Sequence, residues 1–161
     1  MSREAEKIAN TLLSNPIRIQ VEKECPLKNV DQDIVRFKGS NEKVNVLMNL
    51  LDKDEFSKVL IFSRTKRGTD KLSKRLYEEG FRADSIHGDK SQNKRLAVMR
   101  KFKTNQIDVL VATDVAARGL DIPDVSHVIN YDEPENYKDY IHRIGRTARA
   151  GKKGCALTFV R

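Results

Sequence analysis

KVLIFSRTKRGTDKLSKRLYEEGFRADSIHG, residues 58–88, runs from an apolar stretch through a basic turn into a helical pattern and out into a second strand. Within KVLIFS (58–63) four apolar residues follow one another without alternation, so this short strand expects cover on both faces. TDKLSKRLYEEG (69–80) reads as a helix closed by Gly80 in the C-cap position, and FRADSIHG (81–88) as the next strand. Strand, crossover helix and strand together form the repeating unit of a parallel sheet.

The alternation extends in both directions. Upstream, EKVNVLMNLLDK (42–53) is amphipathic at helical spacing, and NVDQDIVRFKG (29–39) begins the regular pattern. Downstream, SQNKRLAVMRKFKTNQ (91–106) is a helix with Ser91 as N-cap, and IDVLVAT (107–113) and VSHVINY (125–131) are apolar strands. NYKDYIHRI (136–144) is a helix and GCALTFV (154–160) a final strand. The expected fold is α/β, a mostly parallel central sheet with helices on both faces. Ligands of such sheets sit beyond the carboxyl ends of the strands. That rule selects the segments 63–68, 87–92, 112–121 and 142–151. Residues 1–23 stand apart, with a helical pattern at SREAEKIANTLL (2–13) and a lone strand at NPIRIQVEK (15–23).

A chain of 161 residues suits one domain with a real core. No apolar run approaches membrane-spanning length, and the start does not resemble a signal peptide. Cys25 and Cys155 belong to no metal-type cluster and read as free thiols of a reducing, cytoplasmic compartment. His87, His127 and His142 have no metal-ligand spacing. The net charge of +8 is unevenly spread: residues 58–103 carry 14 Lys and Arg against 5 Asp and Glu, whereas residues 104–161 carry 8 of each. A basic excess confined to one third fits either a solubilising surface or contact with a polyanion. Aromatic residues are sparse and Trp is absent, so backbone reading of a nucleic acid is expected over base stacking.

HRIGRTARAG (142–151) sets Arg143, Arg146 and Arg149 three apart. On a helix they would form one drifting ridge. Asp139, four residues before Arg143, is its expected partner. Neither Arg146 nor Arg149 has an acid at helical spacing, so each awaits a distant acid or an anion such as phosphate. ATDVAARGLDIPD (112–124) follows a buried strand and offers a hydroxyl at Thr113, acceptors at Asp114 and Asp121, and close backbone approach at Gly119. Plain turn chemistry, with Asp114 as N-cap and Gly119 as C-cap, explains that segment equally well. Arg95, on the first turns of the helix opened by Ser91, suits a phosphate at the helix N-terminus. The chain has no P-loop of the form GxxxxGK[ST]; the nearest approach, Gly145 to Lys152, has the wrong spacing.

In this order, VLIFSRT (59–65), QNKR (92–95), ATDVAARGLD (112–121) and HRIGRTARAG (142–151) strongly resemble motif IV, QxxR, motif V and motif VI of the C-terminal RecA-like domain of DEAD-box ATP-dependent RNA helicases. The resemblance implies a RecA-like three-layer sandwich over residues 24–161. It also implies that residues 1–23 are the trailing helix, strand and linker of an N-terminal helicase domain. By the same resemblance, Arg146 and Arg149 are catalytic arginine fingers that reach the γ-phosphate of ATP, and Asp121 contacts the nucleotide ribose. Thr113 and Arg95, with Gly88 and Arg64 as weaker candidates, contact RNA. His142 and Arg118 lie at the interdomain face, and Arg143 gives structural support. ATP and Mg2+ are implied as cofactors bound mainly by the N-terminal domain. The implied partners are RNA and that domain of the same protein, with no membrane. Two alternatives remain open at this point, a non-catalytic RNA-binding or partner-docking module and the second motor domain of a DNA helicase. DNA-directed relatives typically carry Gln at the position of His142.

Overall fold

The computed structural model describes residues 8–9, 11–13, 29–118, 122, 125–148 and 152–161. The elements run β1 (Val30–Arg36), α1 (Ser40–Leu51), β2 (Val59–Phe62), α2 (Lys66–Glu78), β3 (Ala83–Ile86) and α3 (Gln92–Lys103). They continue with β4 (Val109–Ala112), α4 (Asp114–Ala117), β5 (His127–Asn130), α5 (Tyr137–Ile144) and β6 (Gly154–Val160). The six strands form one sheet in the order β1-β6-β5-β2-β4-β3, and every pairing is parallel. β2 lies inside the sheet, with Val59 opposite both Val109 and His127.

The unbroken apolar run of β2 follows from this position. Leu60 and Phe62 point into one core with Leu110, Val128, Val98 and Phe102. Val59 and Ile61 point into the other, with Leu47, Leu72, Leu76 and Phe159. Helices α1 and α2 therefore cover one face, and α3 and α5 the other, which makes the three layers expected from the sequence. Burial of each aliphatic side chain contributes about 1.5–3 kcal/mol, so both faces are needed to hold strands of four residues.

Local chemistry sets the helix ends. α2 begins at Lys66, three residues before the expected start, because Thr65 is its cap: the Thr65 hydroxyl accepts from the Gly68 N–H at 3.0 Å. Ser91 caps α3 as the sequence suggests, accepting from the Lys94 N–H at 3.4 Å. Gly80 follows the end of α2 at φ +93, a conformation that favours glycine. Asp114 is not the N-cap of α4; Thr113 occupies that position, and the Asp114 carboxylate is engaged elsewhere. Of the expected 2–13 helix, residues 8–9 and 11–12 are helical, while the expected strand 15–23 lies outside the described residues. At the start of β6, a Cβ on Gly154 would stand 2.1 Å from Thr147 Oγ1 and 2.7 Å from the Ala148 nitrogen. Only glycine lets the segment after α5 pass so close to the strand.

At the opposite end of the sheet, His127 is buried against Phe56, with ring centroids 3.8 Å apart, and its Nδ1 lies 3.0 Å from Ser126 Oγ. Burial holds its pKa below the ordinary value, and the nearby Glu55 offsets this only in part. The folded chain thus resists a proton that the unfolded chain accepts near the ordinary histidine value of 6.5. Stability contributed here is present above that value and is lost as pH falls from it towards the lowered folded value. The urea midpoint of the chain is expected to drop between about pH 7 and pH 5.5. A His127→Phe variant should drop less over the same interval; equal drops would remove His127 from the explanation.

Candidate functional site

The carboxyl ends of β2, β4 and β5 converge on one arginine. Arg143, on α5, is only 2 % exposed. Its Nε and Nη2 donate to the two carboxylate oxygens of Asp114, each at 2.7 Å. Its Nη1 donates to the Asp132 carbonyl at 2.6 Å and to Asn130 Oδ1 at 3.2 Å. The guanidinium also lies over the Phe62 ring, 5.0 Å from its centroid. Such a bidentate pair suits a planar guanidinium removed from water.

The expected Asp139–Arg143 pair does not form. Asp139 sits in the first turn of α5, where its N–H donates to the Asn136 cap at 2.9 Å. One of its oxygens accepts from Asn136 Nδ2 at 2.9 Å, and the other accepts from Arg118. Arg143 instead turns inward beside Ile144, into reach of β4 and β5. Nor do Arg143 and Arg146 share a helical ridge, while Arg149 lies outside the described residues. α5 stops at Ile144 with Gly145 as C-cap, so Arg146 lies in the turn beyond it.

Above Arg143 opens a cleft of about 620 Å³ that brings Arg64, Thr113, Arg118 and His142 to one wall system. A small recess beside it, bounded by Phe62, Ala117, Arg118 and His142, adds Arg146. Five residues singled out from three separate sequence segments thus share one locality. Arg64 is exposed, and among the described residues its guanidinium has no hydrogen-bond or ion-pair partner. Thr113 is buried at the N-terminus of α4, and its hydroxyl makes no side-chain cap. Of the fourteen cations in residues 58–103, Arg64 alone lines this cleft. Several of the others are engaged in ion pairs: Arg75 with Glu79 at 2.6 Å, Arg82 with Asp108 at 2.6 Å and Lys90 with Asp84 at 3.2 Å.

Arg95 and Gly88 lie outside both cavities. Arg95 reaches the back of α4, where Nη2 donates to the Ala116 carbonyl at 3.5 Å, and its buried Nε has no partner. Two contacts at the limit of hydrogen bonding, the other to Gln92 at 3.4 Å, leave a guanidinium suited to an incoming anion. Gly88 follows β3 beside Lys66, and its turn is tethered by His87, whose Nε2 lies 2.9 Å from Asp70. Asp121, Arg149 and Gly119 lie outside the described residues.

Residues 42–151 match the model of the helicase conserved C-terminal domain. The chain belongs to that family. The helicase domain is 47 % identical to the ATP-dependent RNA helicase CshA of Limosilactobacillus reuteri over 161 residues, covering 99 % of this chain and 32 % of that protein. It therefore spans about a third of the length of the curated relatives it matches. Among solved structures it resembles Escherichia coli DEAD-box protein SrmB bound to the regulator of ribonuclease activity RraA. That match has 41 % identity and a TM-score of 0.78, covering 81 % of this chain and 77 % of that one. Saccharomyces cerevisiae Dbp5 L327V, bound to RNA and ADP BeF3, matches at 32 % identity and a TM-score of 0.81. It covers all of this chain and 43 % of that one. The helicase domain is thus a RecA-like C-terminal domain of the DEAD-box type.

Sequence reasoning overlooked part of the helicase domain's site. Asp132, Asn130 and Lys43 hold its geometry, yet none was singled out. A signal for Asp132 existed: it follows the apolar strand 125–131, and the rule of strand carboxyl ends applies to that strand as to the others. No helix among the described residues is long and apolar enough to cross a membrane.

Proposed function

We propose that this chain is the C-terminal motor domain of an ATP-dependent RNA helicase that unwinds short duplexes locally. The observation that carries the reading is the shared cleft. Arg64 and Thr113 face the same opening as Arg118 and His142, with Arg146 in the adjoining recess. In this reading Arg64, Thr113, Arg95 and Gly88 contact RNA phosphates, consistent with their places at strand carboxyl ends and at the start of α3. Arg146 and Arg149 are the catalytic fingers and Asp121 meets the ribose, while His142 and Arg118 face the N-terminal RecA-like domain of the same protein. Residues 24–161 form this domain, and residues 1–23 are the trailing helix, strand and linker of the preceding one. The setting is cytoplasmic.

ATP supplies the phosphoryl group whose transfer to water drives the cycle. What this chain offers it is arginine: Arg146 beside a recess whose lining also includes Arg118, His142 and Asp114. Mg2+ would accompany the nucleotide, held mainly by the N-terminal domain. Arg143 does not contact nucleotide in this account. Its charge is consumed by Asp114, and that pair fixes α4 against α5, which keeps Thr113 and His142 in register.

The purified 161-residue chain is expected to show no appreciable ATP turnover and at most weak RNA affinity. The full-length protein should hydrolyse ATP with RNA, and not DNA, as the effective stimulator. Turnover by the chain alone, or equal stimulation by DNA, would overturn the reading.

A further inference from the structure

Asp132 is the second residue after β5, and each of its polar groups is committed to a different neighbour. Its N–H donates to the Phe62 carbonyl at 3.1 Å, and its own carbonyl accepts from Arg143 at 2.6 Å. One carboxylate oxygen accepts from the Ser63 hydroxyl at 3.0 Å and from the Arg64 N–H at 2.8 Å. The other accepts from Lys43 Nζ at 2.9 Å. Burial alone would raise the Asp132 pKa; the Arg64 N–H, Lys43 and Ser63 outweigh it and hold the carboxyl below its ordinary value.

Lys43 rises from the first turn of α1 into an aromatic bracket. Its ammonium stands 4.0 Å from the Tyr131 ring centroid and 5.0 Å from that of Phe37, and its side chain is 14 % exposed. Partial removal from water strengthens both the ring contacts and the charge pair. Tyr131 stays neutral there, its phenol pushed up to about 12 by burial and by Asp132.

One carboxylate oxygen of Asp132 thus holds both Ser63 and the backbone of Arg64, at the start of the β2–α2 turn. Ser63 is buried and immobilised, whereas the Arg64 guanidinium is exposed and held by nothing among the described residues. What the structure fixes is the point from which that side chain starts: the Arg64 backbone N–H is held by Asp132. We propose that Lys43 and Asp132 are positioning residues for RNA binding: the pair locks the β2–α2 turn so that Arg64 meets an RNA phosphate. The Asp132 carbonyl, bonded to Arg143, ties the same turn to the helix that carries His142. This inference rests on the reading of Arg64 as an RNA contact.

The test is RNA-stimulated ATP hydrolysis by the full-length protein. Lys43→Met keeps an unbranched stem in the aromatic bracket and removes the charge. It is expected to raise the RNA concentration for half-stimulation about tenfold, the effect of one charge-assisted hydrogen bond, while the KM for ATP stays within about twofold. Lys43→Arg should restore RNA binding to within about twofold, because it retains the cation. Ser63→Ala, a milder change that keeps the fold if Lys43→Met does not, should raise the RNA constant about threefold. In an Arg64→Ala background Lys43→Met should add nothing, since both changes remove the same contact. Arg64→Ala with an undisturbed RNA constant would bring down the reading of Arg64 itself. A large Arg64→Ala effect beside unaffected Lys43→Met and Ser63→Ala would overturn only the positioning role. Equal rises in the RNA and ATP constants would do the same, since they would mark a general structural defect.

Discussion

Replacing Arg146 with alanine in the full-length protein is expected to lower kcat for RNA-stimulated ATP hydrolysis by ~10³-fold or more, the loss typical of a removed arginine finger. The backbone argues for a finger that is held in place before it is needed. The Arg146 N–H donates to the Arg143 carbonyl at 3.1 Å, and its own carbonyl accepts from the Val125 N–H at 3.3 Å. The backbone of Arg146 is thus pinned through both its N–H and its C=O, one to α5 and the other to the segment entering β5. A backbone fixed in advance reduces how much the side chain must reorganise as charge develops in the transition state. The KM for ATP should change little, because the interaction grows in the transition state and is weak in the ground state. Arg146→Lys should recover little of the rate, since an ammonium lacks the planar fork. A kcat loss below about tenfold in Arg146→Ala, measured at saturating RNA and ATP, would remove Arg146 from the catalytic role.

The sequence revealed what is repetitive and concealed what is long-range. β2, β4 and β5 were legible because four-residue runs without alternation have one good explanation, cover on both faces, and the two cores provide it. Caps were legible where one side chain decides them, as at Ser91, and less so at Thr65, where two polar residues hid the first turn of α2. The site was legible as motifs but not as contacts. Counting acids at helical spacing gave Asp139 to Arg143, because that method sees neighbours on one helix and not which face is buried. The actual partner, Asp114, lies 29 residues away, and Lys43 meets Asp132 across 89. No local pattern carries such pairs. They follow from sheet order, which places the ends of β2, β4 and β5 side by side, and from the packing of α1 against that sheet.

Because Arg143 is enclosed, its partner is expected to matter to folding even without RNA or nucleotide. Asp114→Ala removes both carboxylate oxygens from a guanidinium that is 2 % exposed, leaving Asn130 and the Asp132 carbonyl as its remaining acceptors. Breaking a buried ion pair from one side typically costs about 3–5 kcal/mol. The Asp114 side chain is 27 % exposed, so water can enter in its place, and the lower end, about 3 kcal/mol, is expected here. Against a usual domain stability of about 5–15 kcal/mol, that is a large share. Urea denaturation of the 161-residue chain would measure it as a fall in midpoint at constant slope. Adding Arg143→Met to Asp114→Ala should recover part of the loss, because it withdraws the stranded charge and lays an apolar chain against Phe62. Recovery should stay incomplete, since Asn130 Oδ1 and the Asp132 carbonyl would lose their donor. If the double variant were less stable than Asp114→Ala alone, the stranded cation would not be the source of the loss. The role of Arg143 would then lie in packing over Phe62 and in its bonds to β5.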